Sequence, residues 1–365
     1  MMMSLKKVLA FAGVVFSFSV LMIVSLPLLA GPSKPVANGL KVPELGRIAW
    51  VRGFDNAAKK ASSEKKPLLV LFQEVPGCAT CKNYGSQVLS HPLILDAAET
   101  LFVPVVVYNN VKGDDERTLK SFRERSWNNP VVRIITPDRK ALAQRVAGDY
   151  TVAGLASAMV EALEKERRNV PEYLRLLVDE TSSRKQGVQK ATFAMHCFWE
   201  GEASLGNLPG VISTMPGFLQ RKEIVEVEFD PNKISYSTLV QKAKTFKCAN
   251  SVFARSDAQQ KEAKKFVGSS AIRTDETIRP DKEPKYYLSK TAYRYVPMTA
   301  LQAVRVNAAI GHRKDPDSFL SPSQVELLQL IKRHPSAKWS NAIGAEDLPY
   351  AWQAADAVKQ SLKGA

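Results

Sequence analysis

The 365-residue chain reads as an α/β domain followed by an α+β domain and a helical tail. Three observations predict this. Over about 48–167, short Val-, Leu- and Phe-rich runs such as 68–72 and 102–108 alternate with helix-period stretches. Over about 190–300 the strand signals sit closer together, and 224–229 alternates apolar with acidic residues, the pattern of a strand with one solvated face. From 301 to 365 only helix periodicity remains. With 45% hydrophobic and 24% charged residues the chain has enough apolar material for sizeable cores.

The first 30 residues form a targeting segment. Lys6 and Lys7 precede an uncharged, apolar stretch from Val8 to Ala30, long enough to cross a bilayer, which takes ~20 residues. A cleaved signal peptide and a retained membrane anchor are both open. Either way the remainder is expected outside the cytoplasm, periplasmic or secreted, or held at the membrane. Residues 31–47, with several Pro and Gly, read as a linker. The formal charge of +15 is spread along the chain with acids interleaved and no nucleic-acid motif beside it, so a solvated basic surface is expected and no nucleic-acid partner.

In the first module, 54–65 is helical, 68–72 a buried strand, 82–89 and 92–99 helices, 102–108 a strand, 119–125 a helix, 131–136 a strand and 152–167 a long helix. The polar stretch 179–189 reads as a second linker. The second module opens with a strand at 191–194, then a helix starting at or just after Cys197. Strands follow at 211–214 and 224–229, and helices at 236–246 and 257–266. In the tail, Ser321-Pro322 starts one helix and 345–362 forms the last. There is no internal repeat and no glycine-rich phosphate loop.

The chain has four cysteines. Cys78 and Cys81 form a C-x-x-C after the 68–72 strand and at the start of a helix. Unpaired amide groups and the helix dipole stabilise a thiolate there, which makes Cys78 the nucleophile and Cys81, one turn on, the thiol that attacks the mixed disulfide. A structural disulfide and half of a zinc site are the alternatives. The first would close a tiny loop and remove little chain entropy. The second lacks two further ligands. Asn129-Pro130 precedes the 131–136 strand. This order resembles a thioredoxin-like domain, and the resemblance implies that Pro130 is a cis-proline facing the dithiol. Val75-Pro76-Gly77-Cys78 further resembles the Val-Pro-Gly-(Sec or Cys)-x-x-Thr signature of a thioredoxin-like (seleno)protein family, with Cys81 where that pattern has threonine.

Cys197 lies in Ala191-Thr192-Phe193-Ala194-Met195-His196-Cys197-Phe198-Trp199. This resembles the strand ending in Gly-Cys-Phe-Trp of peptide methionine sulfoxide reductase A. Leu208-Pro209-Gly210-Val211, Glu223 through Pro231, and Ile234-Ser235-Tyr236 extend the match over about 190–266, and more weakly to 300. The resemblance implies a ferredoxin-type α/β sandwich with Cys197 attacking a sulfoxide sulfur, Glu223 donating to the departing oxygen, and Phe198 and Trp199 walling an apolar pocket. Both aromatics can equally be core residues. The chain also departs from the pattern. His196 replaces the glycine before the nucleophile, the stretch before Glu223 is short and lacks the first oxygen-binding tyrosine, and the second tyrosine falls by spacing on Phe253. An aspartate falls on Cys248, which becomes a candidate resolving thiol, and the Tyr-His-Gln stretch is Glu283-Pro284-Lys285.

The expected function is an exported thiol-dependent oxidoreductase of the peptide-methionine (S)-S-oxide reductase type. Cys197 reduces oxidised methionine, or a related oxidised sulfur, and Cys78/Cys81 recycles it, with an upstream thiol donor and no cofactor or metal. Partners are an oxidised methionine-containing peptide or protein, or a disulfide protein. The alternative is a thiol–disulfide relay whose second module no longer reduces sulfoxides.

Overall fold

The computed structural model describes residues 42–344 and 347–363. The targeting segment at 1–30 and most of the 31–47 linker lie outside the described residues. No described helix is long and apolar enough to cross a membrane.

A 3-10 turn at Pro43–Leu45 leads into the first module: β1 (Val51–Arg52), α1 (Phe54–Glu64), β2 (Leu68–Gln73), α2 (Ala79–Gln87), α3 (Pro92–Leu101), β3 (Val103–Tyr108), α4 (Asp114–Ser121), β4 (Val131–Ile135) and α5 (Val152–Lys165). The sheet order is β1-β3-β2-β4, with β4 antiparallel to β2 and the rest parallel. The unbroken apolar run of β2 follows from its position, buried on both faces. Leu68, Val70 and Phe72 face one cluster, and Leu69 and Leu71 the other. The fourth helix sits earlier than the expected 119–125. It starts at Asp114, where three acidic residues in the first turn favour a helix N-terminus.

The stretch read as a linker at 179–189 is largely helix. In α6 (Glu172–Gln186), Tyr173, Leu174, Leu176 and Leu177 are buried, and packing of that half carries the polar remainder. The second module continues with β5 (Gln189–Met195), α7 (Phe198–Gly206), β6 (Val211–Leu219), β7 (Lys222–Phe229), α8 (Tyr236–Thr245), β8 (Ser251–Ala254), α9 (Asp257–Val267), β9 (Ala271–Arg273), β10 (Arg279–Pro280) and α10 (Tyr286–Ser289). Its sheet runs β10-β6-β7-β5-β8-β9, antiparallel except for the β8–β9 pair. One face packs on α7, α8 and α9 through Phe193, Val225, Val227, Phe229, Leu239 and Val252. Glu226, which its alternation with valines placed toward solvent, is instead buried beside Lys190 at 2.8 Å.

The tail is α11 (Ala300–Gly311), α12 (Pro322–Arg333) and α13 (Leu348–Lys363). It is a wedge rather than an appendage. One apolar cluster runs from Ile48 through α3, α5 and α6 to Trp352 and Ala355. Arg305 of α11, 9% exposed, donates to the carbonyls of Gly206, Leu208 (3.1 Å) and Val211 (3.1 Å) at the end of α7 and the start of β6. Leu301 N–H donates to Glu180 of α6 at 3.0 Å, and Ser323 N–H to Asp96 of α3 at 3.2 Å. The tail thereby locks both modules into one body.

Candidate active sites

The dithiol sits at the C-terminal end of β2. Cys78 is the N-cap of α2, at the end of the helix where its first amides are free. The Cys78 and Cys81 sulfurs are 3.5 Å apart. Cys78 is exposed and Cys81 buried. The thiol of Cys78 is held below its ordinary value, first by the backbone N–H of Cys81 and then by the Cys81 thiol. Burial, and next the hydrogen bond to Cys78, push Cys81 up to about 11. The Asn129–Pro130 peptide is cis, as is Val75–Pro76, and the Asn129 side-chain oxygen accepts from the Cys81 thiol at 2.6 Å. Gly77 is obligatory for steric reasons: a Cβ there would stand 2.5 Å from the Glu74 carbonyl and 2.8 Å from the Cys81 Cβ. Sequence reasoning missed Glu44. It is 2% exposed, and its carboxylate accepts the Gly77 N–H at 2.9 Å, bracing the turn before Cys78 from a segment read as linker. Among the described residues no His, Cys, Asp and Glu cluster is arranged to hold a metal.

The opposed shifts of the two thiols give a direct expectation. At pH 7, brief iodoacetamide treatment of reduced protein labels Cys78 at least tenfold faster than Cys81, since alkylation follows the thiolate. Peptide mass spectrometry reads the ratio, and preferential labelling of Cys81 contradicts the geometry.

The second site is built where β5 ends. Cys197 is the N-cap of α7 and is half-buried. Glu223, across from Met195 on β7, accepts the Phe198 N–H at 3.0 Å, which holds its carboxylate at the same helix end as the sulfur. Phe198 is a core residue, 5% exposed and edge-on to Phe218 at 5.3 Å. Trp199 is half-buried, and Tyr286 stacks flat on it at 3.8 Å and 11°. His196 is exposed.

Cys248 lies in the same apolar cluster as Phe198 and Met195, 4% exposed. Burial pushes its thiol up to about 11, with the charges of Glu200 and Cys197 adding to the effect. At neutral pH it is therefore a thiol, a slow attacker of an oxidised Cys197.

Phe253 does not line this site. On β8 it pairs with Thr192 and points to the opposite face of the sheet, fully buried with Ala194, Leu219 and Ile224. Its neighbour Val252 takes the Cys197 face. Successive strand residues point to opposite faces, so a register uncertain by one residue reverses the assignment. Phe253→Tyr accordingly buries a hydroxyl in an apolar cluster. It is expected to cost about 1–3 kcal/mol in a denaturant melt with no gain in turnover; a rate increase would contradict this placement.

Hydroxyls reach the site from elsewhere. Tyr287 follows Tyr286 on α10, its ring edge-on to Tyr286 at 5.7 Å. A Cβ on Gly311, at the end of α11, would meet the Tyr287 ring at 2.8 Å and Ala203 at 3.1 Å, so this glycine makes room for the ring against α7. The phenol is held above its usual value by burial first and then by the charges of Cys197 and Glu200. Below it, Lys285 and Glu202 form a buried pair. The ammonium is 2.8 Å from Glu202 and 2.6 Å from the Thr214 carbonyl, and the Lys285 N–H gives Glu202 another bond at 2.8 Å. The position that lacks the family's glutamine thus anchors α10.

A thioredoxin-like family profile matches residues 49–137. The first module is a thioredoxin-like domain. Curated relatives match over short stretches of the chain. Peptide methionine sulfoxide reductase MsrA of Geobacter sulfurreducens is 32% identical over 71 residues, 15% of this chain and 44% of that protein. The enzyme of the same name from Cronobacter sakazakii is 37% identical over 73 residues, 15% of this chain and 34% of that protein. The chain thus spans less than half the length of these relatives. Methionine sulfoxide reductase A of Corynebacterium diphtheriae matches at 19% identity over 29% of this chain and 76% of that one, with a TM-score of 0.23, too low to support a structural argument. The chain therefore carries a segment similar in sequence to methionine sulfoxide reductase A.

Proposed function

We propose that the chain reduces methionine sulfoxide, free or in peptides, at Cys197, and that a Cys78–Cys81 dithiol returns Cys197 to the thiol. The observation that carries this is the convergence of sulfur, carboxylate and phenol at the start of α7: Cys197 as N-cap, Glu223 on the adjoining amide, and Tyr287 within reach of the Cys197 charge. The Cys197 thiolate attacks the sulfoxide sulfur. That attack forms an S–S bond as the oxygen takes a proton from Glu223, with the Tyr287 hydroxyl donating to it, and the hydroxyl then passes to the Cys197 sulfur as the S–S bond breaks. The substrate departs as thioether, reduced by two electrons, and Cys197 becomes a sulfenic acid, oxidised by two. The Trp199–Tyr286 stack supplies an apolar wall for the methyl group. Phe198, buried in the core, sets the position of Trp199.

The leader-like residues 1–30 add the proposal that this happens outside the cytoplasm, where dithiols need a dedicated electron source. The Val-Pro-Gly-Cys turn supports placing the first module with the thioredoxin-like (seleno)protein type.

The test is a reduction assay with methyl p-tolyl sulfoxide and dithiothreitol. Wild type is expected to turn over and Cys197→Ser to lose all activity. Tyr287→Phe is expected to slow wild type about 10-fold or more through the lost oxygen donor. No turnover by folded wild type sinks the reading in favour of thiol–disulfide relay, for which the exposed, acidified Cys78 is the specific support.

A further inference from the structure

We propose that the electrons for Cys197 come from the Cys78–Cys81 dithiol of a second copy of this chain, not from its own. The inference rests on the recycling step proposed above and names its partner.

The two thiol sites face different regions of one rigid body. β5 starts beside the end of α6, where Ser183 is bonded to Asp230 at 2.7 Å and Lys233 to Asp179 at 2.6 Å. Cys197 lies at the other end of β5, roughly 20 Å further on at about 3.3 Å per residue. On the opposite side of α6 come α3 and α5, then the sheet whose β2 ends in the dithiol. Among the described residues, no hydrogen bond or ion pair joins 48–165 to 189–285. Between them lie α6 and the tail, which share one apolar cluster with the first module, and the tail is clamped at Asp96, Glu180 and Gly206. A disulfide needs sulfurs about 2 Å apart and Cα atoms within about 7 Å, which one chain cannot reach without breaking those clamps and the shared core.

Each site is nevertheless open to another molecule. Cys78 is exposed, and Trp127, 71% exposed, stands two residues before the Asn129 that holds Cys81. Val111, 41% exposed, follows Asn110, whose side chain is bonded to the Val75 backbone at 3.1 and 3.3 Å. An apolar rim around a reactive sulfur fits an apolar partner surface, and the half-buried Cys197, beside the Trp199–Tyr286 stack, offers one. The Cys78 thiolate of one copy attacks the Cys197 sulfenic sulfur of the other. An intermolecular disulfide forms and the hydroxyl leaves as water with one proton. The Cys81 thiolate then attacks Cys78, releasing Cys197 as thiolate. The dithiol ends oxidised by two electrons and awaits an external thiol reductant.

The test has two arms. In the first, full-length Cys78→Ser/Cys81→Ser/Cys248→Ser protein, with Cys197 charged as a thionitrobenzoate mixed disulfide, is mixed with full-length Cys81→Ser/Cys197→Ser/Cys248→Ser protein. The expected result is thionitrobenzoate release at least tenfold faster than with equimolar dithiothreitol, yielding a covalent dimer linked Cys78–Cys197 by mass spectrometry. Release no faster than with dithiothreitol overturns the proposal and assigns the donor role to another thiol protein. In the second, prereduced wild type receives sulfoxide without added reductant, and formation of the Cys78–Cys81 disulfide is followed across a tenfold dilution. A rate constant that falls tenfold is expected, and a rate independent of concentration overturns the proposal in favour of transfer within one chain. The first arm needs no sulfoxide chemistry, so failure of the proposed activity leaves it readable.

Discussion

Glu223→Gln is expected to lower the single-turnover rate of sulfoxide reduction by about 10²–10³-fold while leaving the fold unchanged. The amide keeps the shape of the carboxyl group, and its oxygen still accepts the Phe198 N–H now bonded at 3.0 Å, so the start of α7 stays in place. What is lost is the proton for the departing oxygen. Tyr287 can donate a hydrogen bond, but burial and its neighbours' charges hold its proton more tightly than usual, so it does not replace the acid. The measurement is thioether formed per Cys197 after rapid mixing, with a thermal melt on the same sample. A rate within threefold of wild type removes Glu223 from the proton-transfer role.

Lys285→Met is expected to destabilise the chain by about 3–5 kcal/mol, the usual cost of removing one partner from a buried ion pair. Glu202 is fully buried, and without the ammonium it keeps only the Thr214 hydroxyl at 3.0 Å and the residue 285 N–H. Because this pair anchors α10, the Tyr286–Trp199 stack at 3.8 Å loosens with it, and sulfoxide turnover falls further than stability alone requires. The double change Glu202→Gln/Lys285→Met removes the orphaned charge and is expected to recover most of the lost stability in a urea melt. If the double variant is no more stable than Lys285→Met, the cost arises from packing and not from the uncompensated carboxylate.

Much of the chemistry is short-range and legible. A cysteine between a strand and the helix it opens needs no tertiary information to be placed at a helix N-terminus, and Cys78 and Cys197 both sit there. The strands around them follow from apolar runs, and the helices from periodicity and caps. The misreadings share one cause. The C-terminal half of α6 is polar and reads as linker, yet its N-terminal leucines find a core only once α5 and the tail are packed against it. β8 is four residues long, and its strand state comes from pairing with β5 and β9. Phe253 was assigned by spacing, and spacing does not tell which face of a strand a residue takes.

The sequence by itself determined which residues are reactive and the local frame of each: a dithiol at one helix start, a lone cysteine with a carboxylate one strand away at another. Only the tertiary structure decided which groups meet. It brought Tyr286 onto the tryptophan two residues past Cys197, put Glu44 under the dithiol turn, turned Phe253 away, and packed the tail against both modules. The physical reason is one of range. Helix capping and thiolate stabilisation act over a turn of backbone, whereas side-chain encounters across a fold depend on how whole faces of helices and sheets bury one another.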